Sequence, residues 1–159
     1  MQNKQAPSAA HTLPEANTMK IALLLLLNLL LAPPVHADNV PLNVVVDGID
    51  QPSGCLVVQV YNADNWLSDQ PLQSQSLPLP ADYQQGALSI ALELPAGRYA
   101  FSVYHDVDGN GQMNKNAFGL PAEPVGLSNR HVPRFGPPRY RKAEVSITAD
   151  TGSIYITLN

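Results

Sequence analysis

Six separate runs of this chain alternate apolar and polar residues with a period of two, and that period constrains the fold to strands. Leu42, Val44 and Val46 alternate with Asn43, Val45 and Asp47; Leu56, Val58 and Val60 alternate with Val57, Gln59 and Tyr61. Leu88, Ile90, Leu92 and Leu94 form a third run, Tyr99, Phe101 and Val103 a fourth, Val145 and Ile147 a fifth, and Ile154, Ile156 and Leu158 a sixth. Successive side chains of a strand leave it on opposite faces, so each run specifies one buried and one wet face. Asp47-Gly48, Ser53-Gly54, Pro95-Ala96-Gly97 and Asp150-Thr151-Gly152 fall between the runs, as tight connections require. No stretch carries a convincing helical period, and the 15 prolines would break a helix if one began. The expected fold is all-β: a single antiparallel β-sandwich of about seven strands joined by hairpins, immunoglobulin-like or prealbumin-like, with one long ordered loop.

The first 37 residues read as a transport signal. Lys20 precedes an apolar run over 21–31, and Val35-His36-Ala37 offers a small-residue cleavage site. Eleven residues fall short of the roughly 20 that span a bilayer, and no later segment is long enough either. The residues before Met19 are polar and patternless, which makes Met19 an alternative start. The expectation is a signal peptide over 1–37, a domain over 38–159 that begins at Asp38, and a periplasmic or secreted product with no transmembrane segment after cleavage.

The remaining 122 residues support one core. Without Lys4, Lys20 and Glu15, the basic and acidic residues number seven and twelve, a net charge of −5. That balance argues against nucleic acid, whose phosphates need a basic surface. Arg130, Arg134, Arg139, Arg141 and Lys142 nevertheless cluster; a solvated face explains such a run, and an anionic ligand or partner is the sharper alternative. The single cysteine, Cys55, excludes an internal disulfide and opens a β run, where a small buried hydrophobe is the ordinary explanation.

Two long connections interrupt the strands, over 62–85 and 105–139. Loops on a rigid scaffold are where sites sit, and the second is too long to be idle in a compact domain. It opens with Tyr104-His105-Asp106-Val107-Asp108-Gly109-Asn110-Gly111-Gln112-Met113-Asn114, oxygen ligands at every second position with a turn glycine among them. Hard cations take such ligands, and calcium is the natural candidate.

The order of Leu42-Asn43-Val44-Val45-Val46-Asp47-Gly48-Ile49, Gly97-Arg98-Tyr99-Ala100-Phe101-Ser102-Val103-Tyr104-His105-Asp106, Asn110-Gly111, Phe118-Gly119-Leu120-Pro121-Ala122-Glu123, Gly126-Leu127-Ser128-Asn129 and Phe135-Gly136-Pro137-Pro138 resembles domain-of-unknown-function family 2141. The resemblance covers nearly all of 38–159 and implies an exported bacterial β-sandwich with no established activity. The chain departs from the family pattern at Met113-Asn114, where Leu-Asp is more common, which removes one carboxylate from the loop.

Counted as an EF-hand, Asp106 takes position one, Asp108 three, Asn110 five, Gly111 six, Gln112 seven and Asn114 nine. Position twelve is Ala117, so the bidentate glutamate is missing and a strand precedes the loop; Glu123 is the expected outside carboxylate. The expected metal set is Asp106, Asp108, Asn110, Gln112, Asn114 and Glu123. The same residues are also good turn chemistry without any ion, because Asp and Asn cap their own backbone.

No nucleophile elbow, H-E-x-x-H or phosphate loop is present, and no residue is assigned as catalytic. Two function classes stand. One is a non-catalytic envelope module that binds a protein, peptide or glycan or serves structurally, with Tyr61, Trp66 and Tyr83 forming either a sugar platform or a cover for the sandwich end. The other is a small periplasmic hydrolase around His105, Asp106 and Glu123, with Ser128 as nucleophile and His131 nearby; a zinc site from His105, His131 and the carboxylates is a separate alternative that lacks motif spacing.

Overall fold

The structure, a computed structural model, describes residues 38–133 and 136–159. The leader expected over 1–37, the alternative start at Met19, and Arg134 and Phe135 lie outside the described residues. Among the described residues the chain forms β1 (Asn39–Asp47), β2 (Cys55–Tyr61), β3 (Gln73–Pro78), β4 (Leu88–Pro95), β5 (Gly97–Asp106), β6 (Val125–Leu127), β7 (Val145–Ile147) and β8 (Ser153–Thr157). A one-turn 3-10 helix covers Ser128–Arg130, and one helical turn, α1, covers Tyr140–Ala143.

The strands make two sheets. One has the order β4-β1-β8; the other runs β3-β2-β5-β6, with β7 pairing the first residues of β5. Their apolar faces meet in one core: Leu42, Val44 and Val46 of β1 with Ile90 and Leu92 of β4 on one side, Leu56, Val58 and Val60 of β2 with Phe101 and Val103 of β5 on the other. Burying each such side chain contributes about 1.5–3 kcal/mol, which is what holds two sheets together without a disulfide.

All six alternating runs are strands, but three expectations are corrected. Among the described residues there are eight strands, not about seven, because β3 and β6 lie inside the long connections. β3 carries Gln73-Ser74-Gln75-Ser76, with no apolar alternation, since an edge strand need not bury a whole face. β6 is three residues long, too short for any period to register.

The sandwich is also not wholly antiparallel. β8 pairs β1 in parallel, from Asn43 opposite Ser153 to Asp47 opposite Thr157. Finally, the tight turns do not make hairpins. β1 and β2, β4 and β5, and β7 and β8 each pair within different ladders, and the consecutive strands that bond to each other are β2–β3 and β5–β6. Alternation reports which face is buried, not which strand is the neighbour. A turn that arches between sheets uses the same glycines as one that closes a hairpin, here Gly48 at φ 76° and Gly54 at φ 74°.

The connection after β5 folds back over the outer face of its sheet. Both faces of β5 are therefore buried from Ala100 to Asp106, including Ser102, His105 and Asp106. Ala100, Leu127 and Ala143 form a second small core under Trp66 and Tyr140.

Candidate metal centre

Asp106 ends β5 on its outer face with no exposed surface, and the loop that follows wraps around its carboxylate. Oδ1 accepts the Asn110 N–H at 3.1 Å and Oδ2 the Gly111 N–H at 2.8 Å. Two charge-assisted bonds to backbone donors compensate the buried anion. Gly54 closes in from below: a Cβ there would stand 1.9 Å from the Asp106 carbonyl oxygen, so a side chain at this left-handed position would break the site.

Asp108 is exposed and holds the middle of the loop. Its Oδ1 accepts the Asn110 N–H at 3.2 Å; its Oδ2 accepts the Asn110 side-chain amide at 3.0 Å and the Asn114 amide at 2.9 Å. The Asn114 amide first, with the Asn110 donors adding to it, holds the Asp108 carboxyl below the usual aspartate range. Gln112 joins through its backbone N–H, which Asn110 Oδ1 accepts at 2.7 Å.

Glu123, 9% exposed, comes from the far end of the loop. Its Oε1 accepts the Val107 N–H at 3.1 Å and its Oε2 the Asn114 N–H at 3.0 Å, so one carboxylate joins both limbs. A ligand oxygen from each of Asp106, Asp108 and Glu123 lies within 4.8 Å of the other two. The fold thus brings the strand-end aspartate, the loop aspartate and Glu123 together, in an arrangement that could hold a metal ion. Asn110 and Asn114 adjoin the cluster through the Asp108 carboxylate.

Two neighbours of this cluster escaped sequence reasoning. Cys55 lies opposite Asp106 in the β2–β5 register, and its half-buried thiol donates to Asp106 Oδ2 at 3.7 Å, so it is not simply a small hydrophobe. Tyr104 sits two residues before Asp106 on the same face; burial raises its hydroxyl pKa, with Asp106 and then Glu123 pushing the same way. For Cys55 the register of β2 with β5 was the missing signal, and no local pattern carries it.

Of the hydrolase residues, Asp106 and Glu123 come together, but His105, Ser128 and His131 do not join them. His105 points into the core, 1% exposed, with Nε2 2.7 Å from the Ser53 carbonyl oxygen. A carbonyl only accepts, so Nε2 carries the proton; Nδ1 is buried without a partner. Ser128 is fully buried, its hydroxyl accepting the Phe101 N–H at 2.9 Å and donating to the Ala143 carbonyl. Phe101 and His105 are four strand residues apart, about 13 Å. His131 lies on the surface beside Arg130 and Val132. The metal-holding group among the described residues contains neither histidine.

Trp66 meets Tyr61 and Tyr140 edge to face, at centroid distances of 5.5 and 6.0 Å, and donates its indole N–H to the Pro138 carbonyl at 2.9 Å. Tyr83 packs on the main core. These aromatics cover the sheets and form no platform.

Comparison with curated proteins and with solved structures gives no match. A family model, described as uncharacterized protein conserved in bacteria, matches residues 44–155, which include every strand from β2 to β7 and the whole carboxylate loop. The resemblance seen in the Tyr-His-Asp, Gly-Leu-Pro-Ala-Glu and Gly-Leu-Ser-Asn segments is thereby confirmed, and the chain belongs to that family, DUF2141.

Proposed function

We propose that this is an exported, non-catalytic envelope module in which a weakly held calcium ion fastens the long connection to the end of β5. The observation that carries the reading is the convergence of Asp106, Asp108 and Glu123 within 4.8 Å, two of them nearly or fully buried. Three carboxylates so close repel one another unless cationic or N–H partners offset them. Oxygen-only donors suit calcium over softer metals. Asn110, Asn114 and Gln112 are the further oxygen ligands, and the Asn110 and Asn114 amides turn from donating to Asp108 to presenting carbonyl oxygens. With two or three charged ligands, affinity falls in the range of roughly 10⁻⁴ to 10⁻³ M, suited to an extracellular setting.

The scaffold is read as an immunoglobulin-like or prealbumin-like sandwich, varied by its parallel β1–β8 pair, and the ordered loop as the surface that meets an envelope protein, peptide or glycan. Export rests on the leader pattern over 1–37. Hydrogen exchange tests the ion's role: millimolar calcium should slow exchange at the amides of Asn110, Gly111 and Asn114, and unchanged rates would count against it. Recovery of a chain beginning at Asp38 from the periplasm or medium tests export.

A further inference from the structure

We propose that the edge formed by α1, the 3-10 turn and β8 is a docking surface for an anionic phospholipid bilayer. The chain carries a net charge of −4, yet six of its seven cations after residue 37 are Arg98, Arg130, Arg134, Arg139, Arg141 and Lys142. The fold gathers those it describes. Tyr140 donates its hydroxyl to the Arg98 carbonyl at 3.1 Å, and Asn129 donates its side-chain amide to the Lys142 carbonyl at 3.1 Å, stapling α1 to the start of β5 and to the 3-10 turn. The turn in turn packs on β8.

Arg130, Arg139, Arg141 and Lys142 are exposed. Among the described residues the one ion pair is Arg98 with Glu144, at 3.1 Å, so these four have no carboxylate partner. Asp64, near Tyr140, and the exposed Asp47, opposite Thr157 in the β1–β8 register, are acids at this edge. Asn129 and Arg130 are successive non-glycine residues at φ 58° and 50°, a strained conformation that persists only where surrounding structure imposes it. Here the Asn129–Lys142 bond and the buried Ser128 impose it, and Arg130 is left outside.

Apolar side chains choose among polyanions. Val132, 60% exposed, lines with Arg130, His131 and Thr157 a recess of about 210 Å³, and Tyr155, 63% exposed, lies two residues from Thr157 on the outer face of β8. Cations for phosphates, a tyrosine at headgroup level and a small aliphatic to enter the acyl boundary are what a bilayer interface takes up. An acidic polymer in water would use the cations and leave Val132 and Tyr155 idle. The carboxylate cluster sits at the other end of β5, about 26 Å from Arg98, so it does not oppose the lipid.

The test is cosedimentation of the chain, in EDTA, with vesicles of phosphatidylcholine alone and of phosphatidylcholine with phosphatidylglycerol in equal parts. The leader over 1–37, where retained, carries Lys4 and Lys20 and favours the anionic vesicles itself, so each variant is compared with the wild-type chain of the same length. Preferential binding to the anionic vesicles is expected, weakened about fivefold by each of Arg139→Ser, Arg141→Ser and Lys142→Ser and about a hundredfold by all three. Lys115→Ser, away from this edge, should change nothing. Val132→Ser with Tyr155→Ser should weaken vesicle binding while sparing capture by dextran sulfate. Equal binding to both vesicles, indifference to the single cation replacements, or dextran sulfate binding with no effect of Val132 and Tyr155 would each overturn the lipid assignment.

Discussion

His105 and Asp106 are consecutive residues of β5 whose side chains serve opposite faces of one sheet. His105 reaches into the core and donates to the Ser53 carbonyl at 2.7 Å; Asp106 turns outward and accepts the Asn110 and Gly111 amides. A histidine and a carboxylate so divided cannot act on one proton. The histidine fastens the turn before β2, and the aspartate organises the loop after β5.

Glu123 is the brace of that loop. Replacing it with alanine leaves the Val107 and Asn114 amides without acceptors, and each half-buried orphan costs about 1–3 kcal/mol. Urea unfolding should show Glu123→Ala destabilised by about 2–6 kcal/mol for the two amides together, and Glu123→Gln, which keeps one acceptor, destabilised less. Equal stability of all three chains would show that the brace carries no energy.

Ser128, read from sequence as a nucleophile, has a structural role instead. Ser128→Ala removes the acceptor for the Phe101 N–H and the donor to the Ala143 carbonyl, both buried. A loss of about 1–3 kcal/mol is expected in chemical denaturation.

Tyr61 sets the alkaline limit. Burial first, then Tyr104 and Asp69, push its hydroxyl from 10.0 up to about 12. The folded chain therefore holds a proton that the unfolded chain releases between pH 10 and about 12. Its contribution is intact below pH 10 and is lost as pH rises through the folded value, about 2–3 kcal/mol in all. Ultraviolet titration should show one tyrosinate forming near 12, and Tyr61→Phe should flatten the decline in stability above pH 10.

The strands were legible wherever burial alternates, and so were the turn glycines. β3 was hidden because Gln73, Ser74, Gln75 and Ser76 sit at an edge where no face must be apolar, and the parallel β1–β8 pair was hidden because alternation is blind to neighbours. At the candidate centre, Asp106, Asp108 and Asn110 stood out through local spacing. Glu123 required a guess across 17 residues, which its position beside Asp106 and Asp108 now supports geometrically. Cys55 depends on the register of β2 with β5, which no short window contains.

Asn114 distinguishes an ion site from a self-capped turn. Its amide donates to Asp108 at 2.9 Å, so Asn114→Asp places a like charge there and should lower the melting temperature in EDTA. As a calcium ligand the new carboxylate should tighten binding about tenfold and restore the melt at millimolar calcium. Destabilisation that calcium does not relieve would favour the turn alone.

Calorimetric titration of calcium into the wild-type chain, with Asp106→Asn beside it, reads the ion at this centre without any probe. A saturable heat is expected with a Kd of roughly 10⁻⁴ to 10⁻³ M, absent in Asp106→Asn, with a rise in wild-type melting temperature at the same concentrations. No heat and no shift in melting at millimolar calcium would contradict the calcium site.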